Sequence, residues 1–319
     1  MMVAQDASVE VEQVYRAGVA EVEKLLIGQR HALDGAFVAL LSDGHVLLEG
    51  VPGLAKTLLV RTRAAVLDCK FRRVQFTPDL MPSDITGSTI LRDGELVFRP
   101  GPVFTHLLLG DEINRAPAKT QSALLEAMQE RAVTADGRRL PLEGMFTVFA
   151  TQNPIEQEGT YPLPEAELDR FMMMIRLEYP DEAAERRILE THHGREDSAD
   201  VGGLSVVADV ALLTRLKASV RGVKVSSEIV DYATRLIRES RVHPSVAVGA
   251  SPRSGLHLLR AAKAWAAISG RGFVIPDDLK RWAREVLRHR IVLAPGAEIG
   301  GTTTDDVLGA LLELVRVPT

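Results

Sequence analysis

The sequence predicts an α/β fold, a three-layer αβα core around a five-stranded parallel sheet, followed by a C-terminal all-helical lid domain. Three observations lead there. Five short apolar runs alternate with helical segments, as strands buried on both faces require. The first run, His45-Val-Leu-Leu-Glu49, passes straight into a glycine-containing turn and then a helix start. After Tyr179-Pro180 the strand signals nearly vanish.

The elements follow in order. Val11, Val14, Val22, Leu25 and Leu26 recur at helical spacing over residues 8–26, and Ile27-Gly28-Gln29 breaks that helix. A helix over about 30–42 leads to the first strand, and Leu58-Leu59-Val60 continue the helix that starts near Lys56. Strands are expected at Phe71–Gln75, at Leu107–Gly110 before Asp111-Glu112, at Phe146–Thr151 before Gln152-Asn153-Pro154, and at Phe171–Glu178. Two hairpins interrupt this core, at about 85–102 and 131–146, with Asp93-Gly94 and Asp136-Gly137 as their turns. Past Pro180, Asp181 opens a capped helix and His193–Gly203 forms a polar connection. Helices are then expected at about 206–220, 227–241, 252–269, 277–289 and 304–315. Asp277-Asp278 and Asp305-Asp306 favour the start of the last two through the helix dipole. The expected domains are 1–180 and 181–319.

Bulk numbers narrow the function classes. A chain of 319 residues suits about two domains. A net charge of −5 offers no general attraction for nucleic acid, and two Trp and four Tyr leave little for base stacking. The lone Cys69 excludes an internal disulfide or a multi-cysteine zinc site. The adjacent His192-His193 diverge on a helix and read as a solvated helix end rather than a metal site. The N-terminus lacks a basic segment followed by an apolar core, and nothing approaches the ~18 apolar residues of a membrane span. The expectation is a cytoplasmic protein with neither nucleic acid nor direct membrane insertion.

The chemistry concentrates in three places. Gly50-Val51-Pro52-Gly53-Leu54-Ala55-Lys56-Thr57, with Leu58, stands between a strand and a helix, the context that gives a P-loop its meaning. Its glycines let backbone N–H groups turn toward an anion, Lys56 suits β- and γ-phosphates, and the Thr57 hydroxyl suits Mg²⁺. Ala55 stands where a second glycine is usual, a difference of one methyl. About 50 residues on, Asp111 is positioned to hold Mg²⁺ through water and Glu112 to deprotonate the attacking water. An adjacent acidic pair points to a hydrolysing ATPase rather than a GTPase or kinase. Alone, the same pair would serve equally as a helix N-cap. Asn153, at the tip of the next strand, suits a hydrogen bond to the γ-phosphate or the water.

Together these residues resemble the AAA+ ATPases, and specifically the MoxR family, over nearly the whole chain. The most specific match is Asp111-Glu-Ile-Asn-Arg-Ala-Pro117 with Gln121, Leu124-Leu125-Glu126 and Met128-Gln-Glu130. Phe76-Thr-Pro-Asp-Leu-Met-Pro-Ser-Asp-Ile-Thr-Gly87 and Pro162-Leu-Pro-Glu-Ala-Glu-Leu-Asp-Arg-Phe171 support it, and Gly110 departs mildly where the family more often has Ala. The resemblance implies ATP and Mg²⁺ as cofactors, Asn153 as sensor 1, Arg170 as an arginine finger supplied in trans, and Arg253 as sensor 2. Ser251-Pro252-Arg253 independently reads as a helix start, with Ser at the N-cap and Pro at N1. Arg253 is thereby expected to reach a phosphate on the other domain, so that ATP draws the two domains together. Arg170 has a plainer alternative, an ion pair with Asp169 or Glu167. By the same resemblance Gln75 restrains Glu112, Gly28-Gln29 line the adenine, and the hairpins line a ring pore with Phe98 and Arg138-Arg139 facing partners.

The implied function is an ATP-hydrolysing ring homo-oligomer, a hexamer by family inference. It would act as a chaperone-like remodeller that assembles or activates client proteins, among them von Willebrand factor A domain proteins or metalloenzymes. The alternatives are an AAA+ motor on nucleic acid and a nucleotide-gated scaffold with little need for turnover.

Overall fold

The computed structural model describes residues 2–135, 137–142, 144–154, 160–193 and 200–318, with side chains from Ser8 onward. In chain order the strands of the first part are β1 (Val46–Glu49), β2 (Phe71–Gln75), the hairpin β3 (Gly87–Arg92) and β4 (Glu95–Pro100), β5 (Leu107–Asp111), the hairpin β6 (Ala132–Ala135) and β7 (Arg138–Pro141), β8 (Thr147–Gln152), and β9 (Met173–Arg176). Five of them form one all-parallel sheet in the order β2-β5-β8-β1-β9. Parallel neighbours cannot be joined by tight turns, so helices cross between them and cover both faces.

Those helices are α1 (Met2–Val22), α2 (Arg30–Leu41), α3 (Lys56–Val66), α4 (Pro82–Thr86), α5 (Ala118–Glu130) and α6 (Glu165–Leu168). Side chains alternate across a strand, so β1 feeds two cores. Val46 and Leu48 join α2 and α3 in one apolar cluster, and Leu47 joins Leu124, Leu125 and Met128 of α5 in the other. All three β1 residues are fully buried. Gly110, the one small residue of β5, lies against Phe76, whose ring would stand 3.1 Å from an added Cβ.

The second part is α7 (Glu182–His192), α8 (Val210–Arg221), α9 (Ser227–Val242), α10 (Pro252–Ile268), α11 (Pro276–Leu287), α12 (Pro295–Ile299) and α13 (Thr304–Leu314). α8 begins later than the sequence suggests because Asp209 caps it, accepting the Leu212 N–H at 2.7 Å. A small antiparallel ribbon, β10 (Val246–Val248) with β11 (Val292–Leu293), accompanies these helices. The apolar cluster on the α2 side of the sheet continues through Tyr232, Leu258 and Trp282. α1 packs against α3, α8 and α10, tying the helical part to the core.

Two surface readings gain detail. Phe98 is half-buried, with its ring edge-on to Phe104 at 5.7 Å. Two exposed apolar cross-strand pairs lie on this hairpin, Leu91 with Leu96 near its tip and Ile90 with Val97. His192 is not purely solvated either, since its Nε2 contacts the Leu25 carbonyl at 3.1 Å. Asp136, the expected turn residue of the second hairpin, and residues 194–199 of the polar connection lie outside the described residues.

A Leu48→Ala substitution removes a side chain that both the sheet and its helical cover pack against. It should lower unfolding free energy by about 2–5 kcal/mol in urea titrations. Leu91→Ala, at the exposed tip, should change it by less than about 0.5 kcal/mol.

Candidate active site

The loop after β1 is built as a cradle. Gly50 lies close against Leu177, whose carbonyl oxygen would stand 3.1 Å from an added Cβ, and Gly53 adopts a φ of +88° with open space beside it. Ala55 adopts φ 56° and ψ 28°, the left-handed region, immediately before α3. That is where the usual glycine has its value, so the extra methyl carries roughly 1–2 kcal/mol of backbone strain rather than a small steric cost. α3 has no side-chain cap on its first N–H groups, which leaves them to an anion. Lys56 folds back to donate to the Gly50 carbonyl from within the loop. An open Gly53, uncapped N–H groups and one ammonium suit a polyphosphate. The hard oxygens of Thr57 and Asp111 suit Mg²⁺.

Asp111 and Glu112 end β5, two strands from β1, with β8 between. One residue of β8 fixes both acids. The Thr151 hydroxyl donates to Asp111 Oδ1 at 2.6 Å and accepts the Glu112 backbone N–H at 2.8 Å. Glu112 itself has φ 56° and ψ 53°, a left-handed conformation costly for a side chain of this size. Its carboxylate accepts from Gln75 at 2.6 Å and from Arg115 at 2.9 Å. Asp111 Oδ2 accepts from Arg73 at 2.7 and 3.2 Å. Asn153 is buried just past β8, whose neighbours in the sheet are β5 and β1. Gln121 holds the segment after Glu112 by donating to the carbonyls of Ile113, Ala116 and Tyr161.

Arg170 and Arg253 are elsewhere. Both line a cavity of about 1030 Å³ with Asp43, His45 and Asp169, beside residues that precede β1 and β9. In a parallel sheet those residues mark the end opposite the P-loop, about 13 Å away along β1 alone. Arg253 therefore does not reach the P-loop of its own chain: its partner is Asp169, at 3.5 Å. The expected pull between the two parts through Arg253 has no basis in this arrangement, and the shared apolar core already joins them. Nor does Arg170 pair with Asp169 or Glu167. Asp169 is held by Arg290 at 2.7 Å, and among the described residues Arg170 makes no ion pair. Arg290 also donates to the carbonyls of Asp169, Phe171 and Met172, fixing the turn that presents Arg170. Burial, with Arg290, Arg260 and Arg253 nearby, drives the His257 pKa down to about 3, and burial beside Arg131 drives His45 to about 4, so both imidazoles are neutral at pH 7.

Gly28 and Gln29 line a second cavity, of about 590 Å³, with Arg176, Pro180 and lid residues of α11. Gly28 needs its glycine: φ is +80° and an added Cβ would stand 2.8 Å from Pro180. Gln29 donates to the Glu178 carbonyl at 2.9 Å, joining this turn to the end of β9. Arg176 bridges Glu49, just before the P-loop, at 2.7 Å and Asp305 of the lid at 2.9 Å.

Residues 45–173 match the ATPase family associated with various cellular activities (AAA), and residues 238–310 match the AAA lid domain. Chaperone MoxR1 of Mycobacterium tuberculosis is 43% identical over 99% of this chain and 85% of its own. The chain belongs to the MoxR family of AAA+ ATPases. YeaC of Bacillus subtilis, uncharacterized, is 42% identical over 94% of this chain and 93% of its own. A crystal structure from Cytophaga hutchinsonii superimposes with a TM-score of 0.92 at 38% identity, covering 100% of this chain and 99% of that one. This MoxR-family chain is thus a nucleotide-binding, ATP-hydrolysing enzyme, and none of its described helices is long and apolar enough to cross a membrane.

The sequence assigned no role to Thr151, Arg73, Arg115 or Arg290. Two of them carried a hint: Arg115 as part of the Asp111–Pro117 motif, and Thr151 as a hydroxyl two residues before Asn153.

The strain at Ala55 gives a direct test. Ala55→Gly removes the left-handed penalty but adds freedom to the unfolded chain, worth about 0.4–1 kcal/mol against it. The net result should be a gain of about 0.5–1 kcal/mol in chemical denaturation.

Proposed function

We propose that this protein is a ring-forming, ATP-driven remodeller whose hydrolytic site is completed by a neighbouring copy. One observation carries the reading. Arg170 and Arg253 share a cavity at the end of the sheet opposite their own P-loop, and among the described residues Arg170 has no carboxylate partner there. A cation with no ion pair among the described residues, on a turn braced by a buried arginine, is well placed to meet charge on another molecule. A second copy whose P-loop end faced this cavity would supply that charge.

In this reading the α/β part, 1–180, holds the nucleotide, and the helical part, 181–319, carries Arg253 to the neighbour. Gly28 and Gln29 flank the base. Residues 50–58 hold the phosphates, with Lys56 on the β- and γ-oxygens. Thr57 and Asp111 would hold Mg²⁺, which would supply positive charge to offset that developing on the phosphate. Glu112 takes the proton of the attacking water, and Asn153 orients that water. Gln75 and Arg115 engage the Glu112 carboxylate, which supports a resting state of low turnover. The neighbour's Arg170, with Arg253, stabilises charge on the transferring phosphoryl group. By family, the ring has six copies. Its clients would be proteins with a von Willebrand factor A domain or metalloenzymes, remodelled by the exposed hairpins.

Glu112→Gln should retain ATP binding and lose about 10²–10⁴-fold in kcat. Arg170→Ala should bind ATP normally and lose about 10³-fold or more. Wild-type specific activity should climb with protein concentration. Activity that is flat with concentration and equal in Arg170→Ala would mean a self-sufficient monomeric site. Full client activation by Glu112→Gln would replace the remodeller with a nucleotide-gated scaffold.

A further inference from the structure

Arg73 is a surface arginine with an unusual task. It lies on β2, and the register pairs Gln75 with Asp111 and Arg73 with Leu109. Residues two apart on a strand share a face, so Arg73 and Gln75 point the same way, toward the acids at the end of β5. The Arg73 guanidinium donates twice to Asp111 Oδ2, at 2.7 and 3.2 Å, and from the same Nη2 to Gln75 Oε1 at 2.9 Å. The other end of the Gln75 amide donates to Glu112 at 2.6 Å. Asp111 Oδ1 meanwhile accepts from Thr151 at 2.6 Å. Both oxygens of the carboxylate expected to face a metal are therefore engaged, one of them by a cation.

We infer that Arg73 is a competing counter-ion for the metal carboxylate, and that its displacement loosens Glu112 through Gln75. This rests on the reading that Asp111 holds Mg²⁺. A guanidinium and a divalent cation with its water shell compete for the same oxygen of Asp111. Arg73 is about half exposed, at 49% of its side chain, so it can swing into solvent at little packing cost. Once it leaves, Gln75 Oε1 loses the donor that fixes the amide, and the amide is freer to release Glu112. Metal entry and base release become one coupled event, carried by three side chains on two adjacent strands. Arg73 is in this sense a positioning residue: it acts on Glu112 through Gln75.

The test is binding, not turnover. The affinity of the full-length protein for a fluorescent ADP analogue is measured with excess Mg²⁺ and with EDTA, and the ratio of the two reports metal affinity of the nucleotide complex by linkage. Arg73→Met should raise that ratio about 3- to 5-fold, the scale of a partly screened ion pair. The gain should lie in the Mg²⁺ arm, and Arg73→Lys should return the ratio most of the way to wild type. An unchanged or lower ratio overturns the inference. So does a ratio raised only through weaker binding in EDTA, which would make Arg73 a phosphate ligand. Asp111→Asn separates this from the reading beneath it. If that substitution leaves the Mg²⁺ dependence intact, the metal is not at Asp111, and both statements fail. If it removes the dependence while Arg73→Met changes nothing, the Arg73 inference alone fails.

Discussion

The P-loop and, in the proposed reading, the two arginines that complete its site are arranged by the direction of β1. Its carboxyl end delivers Gly50 to the P-loop, and its amino end, at His45, borders the cavity that holds Arg170 and Arg253. Because all five sheet strands run the same way, the acidic pair, Thr151 and Asn153 gather with the P-loop at one end. By the same rule the turn before β9 leaves Arg170 at the other. No rotation of a side chain brings these ends together, since Val46, Leu47 and Leu48 are fully buried and packed on both faces of the sheet. A hydrolytic site that uses both ends needs two copies of the chain.

The resting state of the acidic end fits such an arrangement. Glu112 sits in a left-handed backbone conformation and shares its carboxylate between Gln75 and Arg115, while Asp111 is occupied by Arg73 and Thr151. The two arginines are half-exposed, so their contacts are individually weak and readily exchanged for a ligand, whereas Thr151 is buried. By contrast the elements that carry them are held by the sheet. The acids are therefore placed firmly and restrained lightly, which suits a site that is switched by what binds next to it.

Much of this was legible in the sequence, and the reasons for the rest are specific. The P-loop, the acidic strand and Asn153 could be read because each is a local pattern tied to a strand end. The strand at 71–75 and the Asp93-Gly94 hairpin were legible for the same reason. Ala55 looked harmless because its left-handed backbone is invisible in a residue name. Arg73 was not legible: its partner Asp111 is 38 residues away and meets it only through the pairing of β2 with β5. Arg253 was correctly expected at a helix start, yet its direction depends on how the lid docks, which the burial of Tyr232, Leu258 and Trp282 in a shared core decides. The contact of Phe98 with Phe104 was not legible either, since it depends on how the hairpin folds back on the segment after it.

The most direct test of a site divided between copies is to mix two inactive chains. Glu112→Gln keeps its Arg170 but cannot activate water, and Arg170→Ala keeps its Glu112 but offers no cation to its neighbour. Co-assembled in equal amounts, some interfaces pair an intact P-loop end with an intact Arg170, and ATP hydrolysis should return in the mixture. Mixtures as inactive as either variant alone, with mixed assemblies shown to form, would contradict the account.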